Sequence, residues 1–314
     1  MKKINQFLSK IERNRMYRFI ENYDKNELAK KFKKENYCKI LLINEGLYEY
    51  AYFNVAFLHN MLSLIVSAIY NGYLPLIELK DRKEGWTNWN TFFKQPFLED
   101  LQAGKNVKIN SNKTGKIEIT YRLPFEEKKQ KAWFKIYSDY VVFNETTNSY
   151  LQDEYTNLLK NKGKILGVIT RGTDFTTLKP AGHPIQPNIN DVIELCKDKI
   201  KEYKFDYIYL ASEEKIVEEL FRKNFPEMLI VNKRVYYDEI LKENKGQYAW
   251  QVHTNRENEI YNRGIEYLSS FYLLSRCDAL IGGNCGGSIS ALLMNGGKYE
   301  FTEIFNLGLY ETSK

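Results

Sequence analysis

The chain has 314 residues, a formal charge of +6, 43% hydrophobic residues and 15% aromatic residues. This content supports packed interiors and excludes a disordered chain, and the length calls for two domains of about 150 residues each. The charge excess is spread over dispersed lysines, with no basic cluster interleaved with aromatics, which excludes a nucleic-acid-binding protein and leaves room for an anionic ligand.

At the start, Ile4, Phe7, Leu8, Ile11, Phe19, Leu28 and Phe32 recur at helical spacing among charges, predicting short surface helices over residues 3–34. The opening Met1-Lys2-Lys3-Ile4-Asn5 is not an apolar secretory core. The four cysteines, Cys38, Cys196, Cys277 and Cys285, form no CxxC pair. Their scatter points away from a disulfide framework or a zinc site and toward a reducing compartment. A soluble, cytoplasmic protein is therefore expected, its Lys-rich helices available for peripheral contact with the inner membrane face.

The run Cys38–Ile43 reads as a buried strand ending in Asn44-Glu45-Gly46, and the stretch from Asn54 to Tyr70 as a buried helix closed by Gly72. That helix is short for a membrane span and carries His59, Asn60 and two serines. Leu74–Leu79 reads as the next strand, so strand, helix and strand open a parallel α/β sheet. Between residues 80 and 125 the pattern loosens. Trp86, Trp89, Phe92, Phe93 and Phe97 fall in a polar loop, and Ile117–Tyr121 alternates like an edge strand. A second series then begins, with strands predicted at Ile165–Thr170, Tyr207–Ala211, Met228–Val231, Ala279–Gly282 and Glu303–Phe305. Helices are predicted between them over 191–203, 213–223, 262–276 and 287–294. The change of rhythm divides the chain into two α/β domains, 1–150 and 151–314, the second Rossmann-like.

Open parallel sheets bind ligands beyond the carboxyl ends of their strands, where loops are not committed to the core. Two such ends in the second half carry unusual residues. In Thr170-Arg171-Gly172-Thr173-Asp174, an arginine directly after an apolar strand needs an anionic partner. Its planar fork suits two phosphate oxygens. Gly172 permits close approach, and Asp174 holds either the guanidinium or a sugar hydroxyl; a purely structural Arg171–Asp174 ion pair is the alternative. In Gly282-Gly283-Asn284-Cys285-Gly286-Gly287-Ser288, a strand runs into a glycine-rich turn and then a helix expected to begin near Ser288. The amides of such a helix start attract phosphate, and Ser288 either caps the helix or donates to an oxygen. The spacing does not match a P-loop, and Asn44-Glu45-Gly46-Leu47 lacks the glycines of a dinucleotide fingerprint. Between the two ends, three prolines in Lys179-Pro180-Ala181-Gly182-His183-Pro184-Ile185-Gln186-Pro187 stiffen a loop that holds His183 near Arg171. A structural role for His183 stands beside a catalytic one.

Arg171-Gly172-Thr173-Asp174, the run Leu274–Ile281 and the two-Rossmann layout resemble the fucosyltransferase-like glycosyltransferases of GT-B fold. That group includes the α1,6-, rhizobial chitin-oligosaccharide and protein O-fucosyltransferases. The start from Gly46 to Leu58, the Asn88, Trp89, Phe93, Gln95, Pro96 segment and the Gly-His-Pro…Gln-Pro string resemble bacterial members from surface-glycan gene sets. The resemblance implies two Rossmann-type domains facing across a cleft and an inverting transfer of fucose from GDP-fucose, or a related nucleotide sugar, to a glycan acceptor. It places Arg171 on the β-phosphate, with Gly172 and Thr173 beside it, and Asn284, Cys285, Gly286, Gly287 and Ser288 on the diphosphate. Four positions depart from the pattern: Ile169 replaces a histidine, Gly172 a second arginine, Lys179 stands near a catalytic glutamate, and Ser270 near the aspartate that reads guanine.

No Asp-x-Asp triplet occurs in the chain, so Arg171 and the glycine-rich turn are expected to stabilise the leaving diphosphate without metal or cofactor. Asp174 or His183 then takes the acceptor proton. Trp86, Asn88 and Trp89 are expected at an acceptor-sugar surface, with ordinary core packing as the alternative. A non-catalytic nucleotide- or glycan-binding protein is the competing reading.

Overall fold

The computed structural model describes residues 2–34, 39–43, 52–79, 86–97, 105–107 and 117–311. They divide into two units, Met1–Thr147 and Asn148–Lys314. Cys38, the Asn44-Glu45-Gly46 turn and much of the stretch from 80 to 116 lie outside the described residues.

The charged opening of the first unit folds as α1 (Lys2–Glu21) and α2 (Lys25–Lys34). Met16, Ile20, Tyr23 and Leu28 form the apolar side, all buried, and the Tyr23 hydroxyl donates to that of Tyr140 at 2.7 Å. β1 (Lys39–Ile43) leads toward α3 (Val55–Tyr70), started by the Asn54 side chain accepting from the Phe57 amide at 2.9 Å. Twelve of its sixteen residues are buried, so α3 is hydrophobic nearly all round because it is enclosed, not because it spans lipid. Among the described residues no helix is long and apolar enough to cross a membrane.

β2 (Leu74–Ile77) and β3 (Lys105–Val107) flank β1 in a parallel sheet of order β2-β1-β3. The expected edge strand at Ile117–Tyr121 is not one: residues 117–120 make no ladder and 121–122 turn into a 3-10 helix at Leu123–Phe125. The place beside β1 is taken by β3, and the alternation records burial of Ile117 in an unpaired extended segment. The aromatic segment is a short helix, α4 (Trp89–Phe92), and the unit closes with α5 (Glu127–Tyr140), which packs on α1 and α3. The chain passes between units inside α6 (Glu145–Leu158); the sequence reading had no helix there.

The second unit is a five-stranded parallel sheet of order β6-β5-β4-β7-β8. It comprises β4 (Ile165–Ile169), α7 (Asp174–Leu178), α8 (Ile189–Tyr203), β5 (Tyr207–Ala211), α9 (Lys215–Asn224) and β6 (Leu229–Ile230). There follow α10 (Asp238–Glu243), α11 (Glu259–Leu274), β7 (Ala279–Gly283), α12 (Gly286–Asn295) and β8 (Thr302–Phe305). Leu166, Val168, Ile208, Leu210, Ala279 and Ile281 from the three central strands make one core with Val192, Phe221 and Phe225 of the helical layer. Both units are thus α/β with parallel sheets, and the second has the strand order of a doubly wound Rossmann fold. Successive strands step outward from β4 to β6, and the chain then crosses back to β7 on the other side of β4. The topological switch point, where such sheets open a crevice, lies between β4 and β7.

Candidate functional site

Both motifs end at that switch point. β4 and β7 pair with Ile169 opposite Gly282, so Arg171 and the glycine-rich turn leave adjacent strand ends. The closeness needs glycine: a Cβ at Gly282 would lie 2.2 Å from the Ile169 carbonyl oxygen, and one at Gly287 would lie 2.8 Å from Ile169 Cδ1. The Tyr267 hydroxyl, from α11, is 3.9 Å from that Gly287 position. It also interacts electrostatically with Arg171, Glu213 and Cys285, which makes the two strand ends one polar region.

Arg171 is held by carboxylates. Nη1 pairs with Glu213 and Nη2 with Asp174 Oδ1 at 3.0 Å, while the guanidinium stacks 4.5 Å from the Phe175 ring centroid. Burial opposes its charge, but Glu213 and Asp174 outweigh that and hold it protonated beyond the ordinary arginine range. Its side chain keeps 19% exposure, so the fork is oriented without being sealed in. Asp174 has no exposed side-chain surface. Its Oδ1 also accepts from the Thr173 hydroxyl at 2.9 Å and its Oδ2 from the Ala249 amide at 2.9 Å. With both oxygens engaged, Asp174 orients Arg171 in this arrangement rather than facing a sugar hydroxyl. Thr173 sits at φ +49°, ψ −117°, a region β-branched residues avoid, so the turn between Arg171 and Asp174 is strained.

Glu213 was missed by sequence reasoning, although its signal was the same as that of Arg171: a charge just beyond an apolar strand, here β5. Burial pushes its pKa up, but Arg171, Arg234 and Arg263 together pull it below the usual carboxylate range. Its neighbour Glu214 lies over Gly172: a Cβ at 172 would come 1.7 Å from Glu214 Oε2, the movable end of that side chain. Burial raises the Glu214 pKa, Asp238 and Glu213 add to the rise, and a hydrogen bond from the Thr173 backbone opposes it. The position where the resembled family has a second arginine is thus occupied in space by a carboxylate.

The proline-rich loop is tied to the same region. Gln186 Nε2 donates to the Pro184 and Asn284 carbonyl oxygens, both at 3.0 Å, joining the loop to the turn after β7. The Tyr310 amide donates to the His183 carbonyl at 2.9 Å, and Pro184 bridges Leu309. The His183 ring packs edge-on against Phe175 at 5.1 Å between centroids, so it shares that ring with Arg171. Burial lowers its pKa, the Arg171 charge lowers it further, and Asp174 partly offsets both. Neutral imidazole, the form able to accept a proton, is favoured.

The turn after β7 differs from expectation at one point: α12 begins at Gly286, not Ser288. Ser288 is the third helical residue, its hydroxyl accepting from the Cys285 amide at 3.0 Å and donating to the Cys285 carbonyl at 2.9 Å. It caps the helix, leaving the amides of Gly286 and Gly287 at the helix start outside the cap. Cys285, Gly287 and Asn284 lie in the same turn, with Asn284 buried.

Of the three sugar-facing residues expected in the first unit, Trp89 is corrected. Trp89 is fully buried, its indole Nε1 donates to the Lys94 carbonyl at 2.8 Å, and it packs on Phe93 at 4.6 Å. It offers no face to a ligand. Asn88 is a helix cap, bonded to the Trp89 amide at 2.7 Å, and Trp86 is half-buried. Among the described residues no group of three or more His, Cys, Asp or Glu side chains is placed to hold a metal ion.

No protein-family model and no curated protein matches the sequence. Solved structures similar to the chain include the α-1,6-fucosyltransferase NodZ soaked with GDP-fucose, at 13% identity and a TM-score of 0.47 over 81% of this chain and 92% of that one. FUT1 of Arabidopsis thaliana with GDP is similar at 10% identity and a TM-score of 0.49, over 96% of this chain and 80% of that one. POFUT1 with GDP is similar at 10% identity and a TM-score of 0.48, over 86% and 99% respectively. At these identities and TM-scores the likeness carries no weight for the reaction, which has to be read from the strand ends themselves.

Proposed function

We propose that the chain is an inverting, metal-independent glycosyltransferase that moves fucose from GDP-fucose, or a related nucleotide sugar, onto a glycan acceptor in surface polysaccharide synthesis. Its setting in this reading is cytoplasmic, with peripheral contact at the inner membrane face. One observation carries the reading: a carboxylate-oriented guanidinium and a helix N-terminus leave neighbouring strands at the switch point of a Rossmann sheet. Fixed charge and fixed amides suit a diphosphate, whose negative charge grows as it departs.

In the proposed step the bond between the anomeric carbon and the β-phosphate oxygen breaks, and its electron pair leaves with the diphosphate onto Arg171 and the amides of Gly286 and Gly287. An acceptor hydroxyl attacks from the opposite face and its proton passes to His183. Neutral imidazole is ready for this, whereas the Asp174 oxygens are occupied. Asp174 and Glu213 hold the guanidinium in place, sparing the reaction the cost of orienting it.

The decisive experiment is a thermal-shift screen with GDP, UDP, CDP and dTDP, followed by turnover of the matching sugar nucleotide. GDP is expected to give the largest rise in Tm and GDP-fucose to be hydrolysed slowly without acceptor. No shift with any nucleoside diphosphate would overturn the proposal. A shift with neither hydrolysis nor transfer would make the chain a nucleotide-binding protein.

A further inference from the structure

A pair of aromatic rings lies on a turn bonded to the strand-end site. A 3-10 turn at Ala249–Gln251 carries Trp250, 36% exposed, with Tyr248 stacked on it at 6.1 Å between centroids and 12° between ring planes. Trp250 is more exposed than Trp89 and Trp133, which are buried completely. This turn is also anchored: Arg263 donates to the Ala249 and Val252 carbonyl oxygens at 2.5 and 2.8 Å, and the Ala249 amide donates to Asp174 Oδ2 at 2.9 Å. Trp250 is therefore one residue from a group bonded to the carboxylate that orients Arg171. Exposed Gln247 and Gln251 flank the rings in sequence, and Gln251 Oε1 accepts from the Tyr248 amide at 2.8 Å.

Resting on the transferase reading, we propose that Tyr248 and Trp250 form the stacking platform for a pyranose ring of the acceptor glycan. A pyranose presents an apolar C–H face and a rim of hydroxyls. A flat aromatic ring bordered by amide side chains meets both at small entropic cost, because the turn is already fixed. The turn is bonded to Asp174, the carboxylate that orients the guanidinium, whereas the diphosphate is assigned to the helix start after β7. That division favours the sugar over the donor's base as the stacked partner.

The test uses the full chain and its Trp250→Ala and Trp250→Phe variants. Calorimetric titrations use chitotetraose, cellotetraose, maltotetraose and lacto-N-neotetraose as probes, and GDP binding is followed by thermal shift. At least one glycan is expected to bind the wild-type protein and Trp250→Phe, and to bind Trp250→Ala on the order of tenfold more weakly, with the GDP shift the same in all three. Equal glycan binding by Trp250→Ala, or no binding of any probe, would overturn the platform. So would a GDP shift lost in Trp250→Ala with glycan binding intact, since the ring would then be stacking on the nucleobase. A Trp250-dependent glycan site in a protein that responds to no nucleotide would retain the platform and sink the transferase reading instead.

Discussion

The aromatic segment of the first unit and the strand-end cluster of the second have opposite logics. Trp89, Phe92, Phe93 and Phe97 are all buried, and the one polar atom of Trp89 is satisfied by a backbone carbonyl a turn away. Those four rings offer no open face to a ligand. At the end of β4 the chain instead gathers Arg171, Asp174 and Glu213 within salt-bridge reach, strains Thr173 and keeps part of the guanidinium exposed. The contrast teaches that a dense run of aromatics marks a core unless its polar atoms are unsatisfied or its faces open. A charge placed directly after a buried strand marks a site, because the fold has to supply partners for it.

Four experiments sharpen or break that contrast. The largest effect is expected from Trp89→Ala, which should lower the free energy of unfolding by about 3–5 kcal/mol, read from the urea midpoint. A near-neutral result would mean the ring is not core. Arg171→Lys should slow sugar-nucleotide turnover by about 10²–10³-fold with circular dichroism unchanged, since a point charge replaces a two-pronged donor. Turnover within a few-fold of wild type would remove Arg171 from the chemistry.

Gly172→Ala comes next, with a cost under about 1 kcal/mol, because the new methyl meets only the far end of the flexible Glu214 side chain, which can turn aside. The double variant with Glu214→Ala should recover much of the loss, and simple additivity of the two changes would show that they do not touch. The smallest effect is in pH dependence. A base must be unprotonated to act, and burial and Arg171 lower the His183 pKa. The rate should therefore rise with pH, with the midpoint of that rise below the ordinary imidazole value of about 6.5. His183→Ala should abolish that acid limb; a limb unchanged in the variant would assign the proton to another group.

Much of this architecture was legible from residue patterns. The strands at β4, β5, β7 and β8 lie within a residue or two of their expected bounds, because runs of apolar residues between turn signals leave few alternatives. The helices α5 and α6 were not read, since their apolar positions are diluted by lysine, threonine and asparagine. The alternating segment from Ile117 was read as a strand because burial of every second side chain looks the same with or without a partner strand. Within the site, Arg171, His183 and the turn at 284–288 stood out by local context. Glu213, Glu214 and Tyr267 did not, as each acquires its role from a neighbour distant in sequence.

By itself the sequence determined the parallel α/β character of both halves and the placement of an arginine and a glycine-rich helix start at strand ends. Periodicity and turn chemistry are local properties, written within about ten residues. Only the tertiary structure decided that Glu213 would pair with Arg171, that Glu214 would fill the space beside Gly172, and that Trp89 would face inward while Trp250 faces out. Those outcomes follow from strand order and register, which bring together residues dozens of positions apart and which no local pattern encodes.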